Sequence, residues 1–194
     1  EVMLAGFASA PTKQEGAGVV FDQAGETFTA RYNHETIALA FAITEEAIED
    51  NLYDRLAARY TRALARSMAN TKQVKAANVL NNAQNTAFTG GDGKTLINSA
   101  HPLATGGTFS NVLATAADLN ETSLEQSLID IQAFVDERGL KIASQGVKMI
   151  IPKELQFTAE RLMKSPQRTA TADNDINAIA SMGMVPQGYR VNNF

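Results

Sequence analysis

The feature that most constrains this chain is a helical pattern too long for a sphere of its size. Ile48, Leu52, Leu56, Tyr60, Leu64 and Met68 recur every four residues, and neither proline nor glycine interrupts residues 45–89. Such a repeat lays one apolar stripe along a helix. The stripe weakens at Asn70-Thr71 and resumes with Val74, Ala77 and Leu80, which predicts one helix to about Asn81 with a bend near Asn70. Thr44 stands where a hydroxyl would cap the first orphan N–H groups, and Glu45, Glu46, Glu49 and Asp50 suit the positive end of the helix dipole. About 36 residues at ~1.5 Å each make a rod of roughly 54 Å. A compact chain of 194 residues has a radius of gyration of roughly 16 Å, hence a diameter of roughly 42 Å. The rod outruns the ball. An unbroken helix therefore implies an elongated or flat molecule, of the kind that belongs to an assembly.

The segments before the helix have strand patterns. Gly18-Val19-Val20-Phe21-Asp22 precedes a turn at Gln23-Ala24-Gly25, and Glu26 to Tyr32 follows with Phe28, Ala30 and Tyr32 alternating against Thr27, Thr29 and Arg31. That period of two predicts a hairpin. An isolated hairpin is marginal in water, so its apolar side needs a surface from this chain or from a neighbour. Ile37, Leu39, Phe41 and Ile43 alternate with small residues and predict a further strand, packed closely on both faces. Residues 1–16 show no period and are expected to be an arm.

Beyond the long helix lies a glycine-rich stretch from Thr89 to Gly107. Thr122-Ser123-Leu124-Glu125 then has the form of a capping box opening a second helix. Leu124, Leu128, Ile131 and Val135 form its buried face, with Gly139 at the C-terminal cap. Val147 to Ile151 predicts a buried strand closed by Pro152. A third helix is expected over 153–164, with Leu155, Ala159, Leu162 and Met163 inward, and a short helical turn over 176–182. The fold class is α+β.

Composition narrows the chemistry. There is no cysteine, which removes disulfides, thiolate catalysis and cysteine-based zinc sites. No apolar run approaches the length of a membrane-spanning helix. A net charge of −4 argues against a dedicated DNA-binding module. The chain starts at Glu1 rather than Met and stops in strand-like Val191-Asn192-Asn193-Phe194, which reads as a processed chain or an excerpt of something longer.

Motifs that could carry catalysis fail on spacing. Gly93-Lys94-Thr95 resembles the end of a phosphate-binding loop, but the glycine that must precede it by five residues is Phe88. Ser99 and His101 sit two apart in a turn ended by Pro102, and sequence proximity does not place an imidazole on a hydroxyl. Two histidines, His34 and His101, without cysteine do not make a metal site, and Asp173-Asn174-Asp175 lacks the rest of a calcium loop. Arg55, Arg59, Arg62 and Arg66, spaced four, three and four apart, share one face of the long helix. Two readings stand side by side: a solvated face, or a face that docks acidic groups of a neighbouring subunit or packaged DNA.

Four ordered stretches carry a resemblance. They are Asn33 to Tyr53, Asp92-Gly93-Lys94-Thr95-Leu96 through Ala100-His101-Pro102-Leu103, Ile151-Pro152-Lys153-Glu154-Leu155 with Thr158 to Leu162, and Pro186-Gln187-Gly188-Tyr189. Together they resemble the major capsid proteins of tailed phages, in particular the Mu-type major head subunit group. The resemblance implies an arm remnant over 1–16 and an extended hairpin loop over 17–43. It implies a peripheral domain with its spine helix over 44–117 and an incomplete axial domain over 118–194, since family members continue past the end of this match. It further implies a non-enzymatic structural protein without cofactor or metal. Such a protein self-assembles into hexamers and pentamers of an icosahedral head in the host bacterial cytoplasm. Its partners would be itself, portal and scaffolding proteins, and enclosed double-stranded DNA read without sequence specificity, with no membrane. Val20, Phe21, Phe28, Tyr32, Arg55, Arg59, Arg62 and Arg66 are the expected inter-subunit contacts. The alternatives are an encapsulin-like nanocompartment shell of the same fold, and a hydrolase using Ser99 and His101.

Overall fold

The computed structural model describes residues 1–50, 56–168 and 175–194. Among these, helices mix with three two-stranded sheets, an α+β architecture. The chain forms two units, one from residues 1–31 with 84–193 and the other from 32–83 with Phe194.

The first unit begins with a hairpin, but with a different first strand from the one the sequence pattern indicates. Strand β1 (Val2–Ala5) pairs antiparallel with β2 (Gly25–Thr29), Val2 opposite Thr29 and Ala5 opposite Gly25. The stretch from Ala17 to Asp22 is not a strand; it belongs to the long loop over 6–24. Gly25, expected in a turn, lies in the ladder, and the supposed arm supplies the partner. Local period ranks candidate strands, whereas the partner is chosen by which backbone groups meet across the chain, and that information is not local.

A glycine fixes where β2 ends. A Cβ on Gly91 would lie 2.9 Å from the carbonyl carbon and oxygen of Thr29 and 3.0 Å from the nitrogen of Ala30. These are backbone atoms and no rotamer relieves them. Gly91→Ala is expected to cost about 1–3 kcal/mol, as overpacking does. The shift in urea midpoint measures it, with Gly6→Ala, which meets nothing within 4 Å, as the control.

The next stretch folds as loops and the small ladder of β3 (His101–Pro102) and β4 (Thr108–Phe109). Helix α3 (Glu121–Gln132) is then capped by Asn120, whose side chain accepts from Ser123 N–H while Ser123 Oγ accepts from Asn120 N–H. The box thus sits two residues before the expected Thr122, because the asparagine carbonyl does the work of the threonine hydroxyl. The helix also stops early. Ala133 caps it, Val135 bridges to Lys141, and Gly139, at φ +83°, closes a separate turn back to Asp136.

Strand β5 (Met149–Pro152) runs parallel to β6 (Tyr189–Asn192), with a 3-10 turn (Lys153–Leu155), α4 (Gln156–Lys164) and α5 (Ala178–Met182) in the crossover between them. Parallel strands require such a crossover. Of β5 only Ile151 is buried, against the expectation of a fully buried strand, since its sheet has just two strands. Leu124 and Leu128 of α3 meet Ile179 and Val185 in the core, with Leu119, Met149, Met163 and Met184 around them. Asn177 is buried there and serves two helices. Its amide donates to Leu162 O at 2.8 Å and its carbonyl accepts from Ala180 N–H at 3.2 Å.

The second unit holds α1 (Glu45–Glu49) and α2 (Leu56–Asn81). The junction between them, with Leu52 and Arg55, lies outside the described residues. Thr44 occupies the cap position in extended backbone, yet its hydroxyl makes no capping bond. The single helix expected over 45–81 is not formed as one rod: α1 ends at Glu49 with Asp50 as its cap, and α2 runs without interruption through Asn70 from Leu56 to Asn81. At ~1.5 Å per residue α2 is about 39 Å long, no longer than the diameter of a compact chain of this size. Polar residues inside it are accommodated by back-bonding: Thr61 Oγ1 donates to Ala57 O and Thr71 Oγ1 to Ser67 O.

The strand expected over 36–43 is not formed: among the described residues none pairs with it. The segment runs instead along α2 in the opposite sense. Glu35 ion-pairs with Lys75, and the Phe41 ring meets the Tyr60 ring at 5.8 Å. Six extended residues cover roughly 20 Å. Fifteen helical residues cover about 22 Å, so the two contacts are in register.

Candidate functional site

The described residues converge on apolar surface rather than on a reacting centre. Among them no large side chain is fully buried, and the chain exposes 14894 Å². A compact monomer of 20.8 kDa would expose about 8,900 Å², and two separate compact units of these sizes about 10,500 Å². The surplus is at least about 4,000 Å².

The surplus is carried by particular residues. In the loop over 6–24, Val19, Val20 and Phe21 are 69%, 70% and 93% exposed. Phe28, on β2, is half-buried, and Tyr32 is exposed. Leu39 and Phe41 are 56% and 42% exposed, while Ile37 and Ile43 are half-buried. On α2, Leu64 and Met68 are half-buried, Tyr60 is exposed, and Ala77 is buried. An unpaired strand pattern and a half-covered helix stripe are the surface a monomer avoids and an interface uses.

Arg59, Arg62 and Arg66 are all exposed and form no ion pair among the described residues; Arg55 lies outside them. The seven described residues among the eight expected contacts are therefore spread over both units. Val20 and Phe21 stand together on one loop, and the three described arginines share one helix face.

Two side-chain tethers were not visible in the sequence. Asp22 accepts N–H groups from Ala8 at 2.7 Å and from Gln23 at 2.9 Å, and Arg138 Nη2 donates to both its oxygens at 2.9 and 2.8 Å. This clamp holds the base of the loop bearing Phe21. The Ala8 N–H, then the Gln23 N–H and Arg138, keep the Asp22 carboxyl below its ordinary range. A depressed carboxylate contributes above its unfolded pKa and is lost as pH falls through the folded one, so the clamp opens only in acid. Arg138→Gln is expected to raise amide exchange over 6–24 by roughly two- to fivefold. The residues lie 116 apart, beyond the reach of any local motif.

The other tether is His101. Its Nδ1 lies 2.6 Å from Asp92 Oδ2, while Asp92 Oδ1 accepts Lys94 N–H at 3.0 Å. Burial pushes the Asp92 carboxyl up, and the bonds from His101 and Lys94 more than reverse it, leaving it lowered. The imidazole thus orients on a carboxylate in the turn Gly90–Lys94 rather than on Ser99, which is exposed and makes no bond to it. His101 Nε2 is buried without a hydrogen-bond partner among the described residues. The Gly90–Lys94 turn is closed on itself, Gly90 N–H to Lys94 O at 2.7 Å, where a phosphate loop would be open.

The first unit also has open hollows. One of about 430 Å³ lies along α3, walled by Phe109, Val112, Leu113, Ile131 and Phe134, with Asp130 its sole charged group. Among the described residues no three of His, Asp and Glu are grouped as metal ligands, and no helix is long and apolar enough to cross a membrane.

The sequence model of a family described as phage capsid protein matches residues 27–193, most of the chain. No curated protein and no solved structure matches it.

Proposed function

The chain belongs to the phage capsid protein family, a structural constituent of the virion head, and from that premise we propose that it self-assembles into hexamers and pentamers of an icosahedral shell enclosing double-stranded DNA. The observation that carries the proposal is the uncovered apolar surface at Val19, Val20, Phe21, Leu39 and Phe41. Burying it against neighbours yields about 25 cal/mol per Å², distributed over many modest contacts. Closed point-group symmetry then multiplies each contact around the shell.

Within this reading the loop over 6–24 with its hairpin is the extended arm toward an adjacent subunit. Helix α2 is the spine of a peripheral domain over 44–117, and the α3–β6 lobe is the axial domain over 118–194. The Mu-type head subunits are the subgroup we favour, on the four stretches that resemble them. Portal and scaffolding proteins are the further partners, and assembly takes place in the host cytoplasm. A DNA-free nanocompartment shell is the second reading, since the same apolar surplus serves it equally.

Multi-angle light scattering tests the proposal. Discrete species at five or six subunits, or megadalton particles, are expected as concentration rises. A monomer at every concentration and salt would contradict it.

A further inference from the structure

Helix α2 runs against the charge of its own chain. The whole sequence carries −4, with 21 acidic residues. The 26 residues of α2 carry Arg59, Arg62, Arg66, Lys72 and Lys75 and no carboxylate at all. Lys75 is taken by Glu35. The three arginines have no such partner among the described residues, although a stripe of like charges at i, i+3 and i+4 spacing opposes helix formation.

Their placement is one-sided. At about 100° per residue, Arg59, Arg62 and Arg66 fall within an arc of roughly 60°. Tyr60, Leu64, Met68 and Thr71, which include the half-buried positions, lie on nearly the opposite face. The arginines span about 10 Å along the axis. Beside them on that face stand Ala63, Ala69, Asn70 and Gln73, so no apolar side chain larger than alanine lies among them. A protein–protein contact is built around an apolar or aromatic centre, which this face lacks. A polyanion needs none. Guanidinium forks bind phosphate oxygens in pairs, and duplex DNA offers one charge per ~1.7 Å.

We infer that the Arg59–Arg62–Arg66 face of α2 binds the phosphate backbone of double-stranded nucleic acid, through counterion release and without base readout. The inference rests on the capsid reading for why a duplex lies beside this protein; the charge pattern itself stands apart from it. It also resolves the net charge: an acidic chain avoids holding DNA everywhere while one helix face touches it.

The test is fluorescence anisotropy with a labelled mixed-sequence duplex of about 30 base pairs, titrated between about 50 and 200 mM salt. Three phosphate contacts per subunit predict a slope of about −2.7 in log K against log salt, a fall of roughly 40-fold over that range. The triple variant R59Q/R62Q/R66Q is expected to bind weakly at low salt and to lose most of the slope. Glutamine is a good helix former, so circular dichroism should show unchanged helix. Equal affinity and equal slope for both proteins would overturn the inference. So would a variant that binds duplex normally but no longer assembles, which would place an acidic surface of a second copy on this face. Shell closure is read separately, by light scattering without DNA, so its failure counts against the capsid reading and not against this one.

Discussion

Phe21→Asp is expected to abolish shell formation while leaving the subunit folded. Phe21 is 93% exposed, so it contributes almost nothing to the core, and its loss from the fold is nearly free. Burying a phenylalanine against a neighbour yields about 1.5–3 kcal/mol per contact. An aspartate in the same place must be desolvated without a partner, which costs several kcal/mol more. Every subunit of a shell repeats that penalty, so a change modest in one contact is decisive for closure. Val20, 70% exposed on the same loop, should behave alike when changed to aspartate. Circular dichroism and thermal unfolding of the variant should match the unaltered protein, while light scattering shows no particles. Particles of normal size and yield would remove the loop from the interface.

Leu128→Ala is expected to produce the largest loss of stability, about 2–5 kcal/mol in urea unfolding. Leu128 is 5% exposed and shares the core with only Leu124, Ile179 and Val185 among the buried residues of that cluster. A domain stable by about 5–15 kcal/mol has little reserve against that. The site also carries its own control. A Cβ on Gly146 would come within 2.9 Å of Leu128 Cδ2 and 3.5 Å of Ile131 Cδ1, so Gly146→Ala alone crowds the leucine. In the Leu128→Ala background the same methyl enters the vacated space. The double variant should therefore be more stable than the sum of the two single losses by about 0.5–3 kcal/mol, the range for residues in contact. Strict additivity would mean that Gly146 does not face Leu128.

What the sequence disclosed and what it withheld divide along physical lines. Helical period is local, so the C-terminal end of α2, and α4 and α5, were legible to within a few residues from Tyr60, Leu64 and Met68, from Ala159 and Leu162, and from Ile176 to Met182, whereas the end of α1 at Glu49 was not. The position of β5 was likewise visible in its apolar run ended by Pro152. Strand partners are set across the chain and leave no local trace. Val19-Val20-Phe21 has strand composition yet stands exposed in a loop, while Val2–Ala5, without a period, pairs with β2. Ile37 to Ile43 alternates as a strand should and finds no partner strand. Caps moved by a residue or two because Asn120 can replace a threonine hydroxyl. Of the exposed surface, Val20, Phe21 and the arginine face could be named from composition and spacing. The clamp of Arg138 on Asp22 and the pairing of His101 with Asp92 depend on tertiary placement and left no signal in the sequence.

The central claim is that the uncovered apolar surface of this chain is its interface with further copies. Electron microscopy of the protein expressed from its gene tests that most directly. Closed shells tens of nanometres across, lost in Phe21→Asp and retained in Gly6→Ala, are the predicted result. A dispersed monomer in every field, with Phe21→Asp indistinguishable from the unaltered protein, would contradict it.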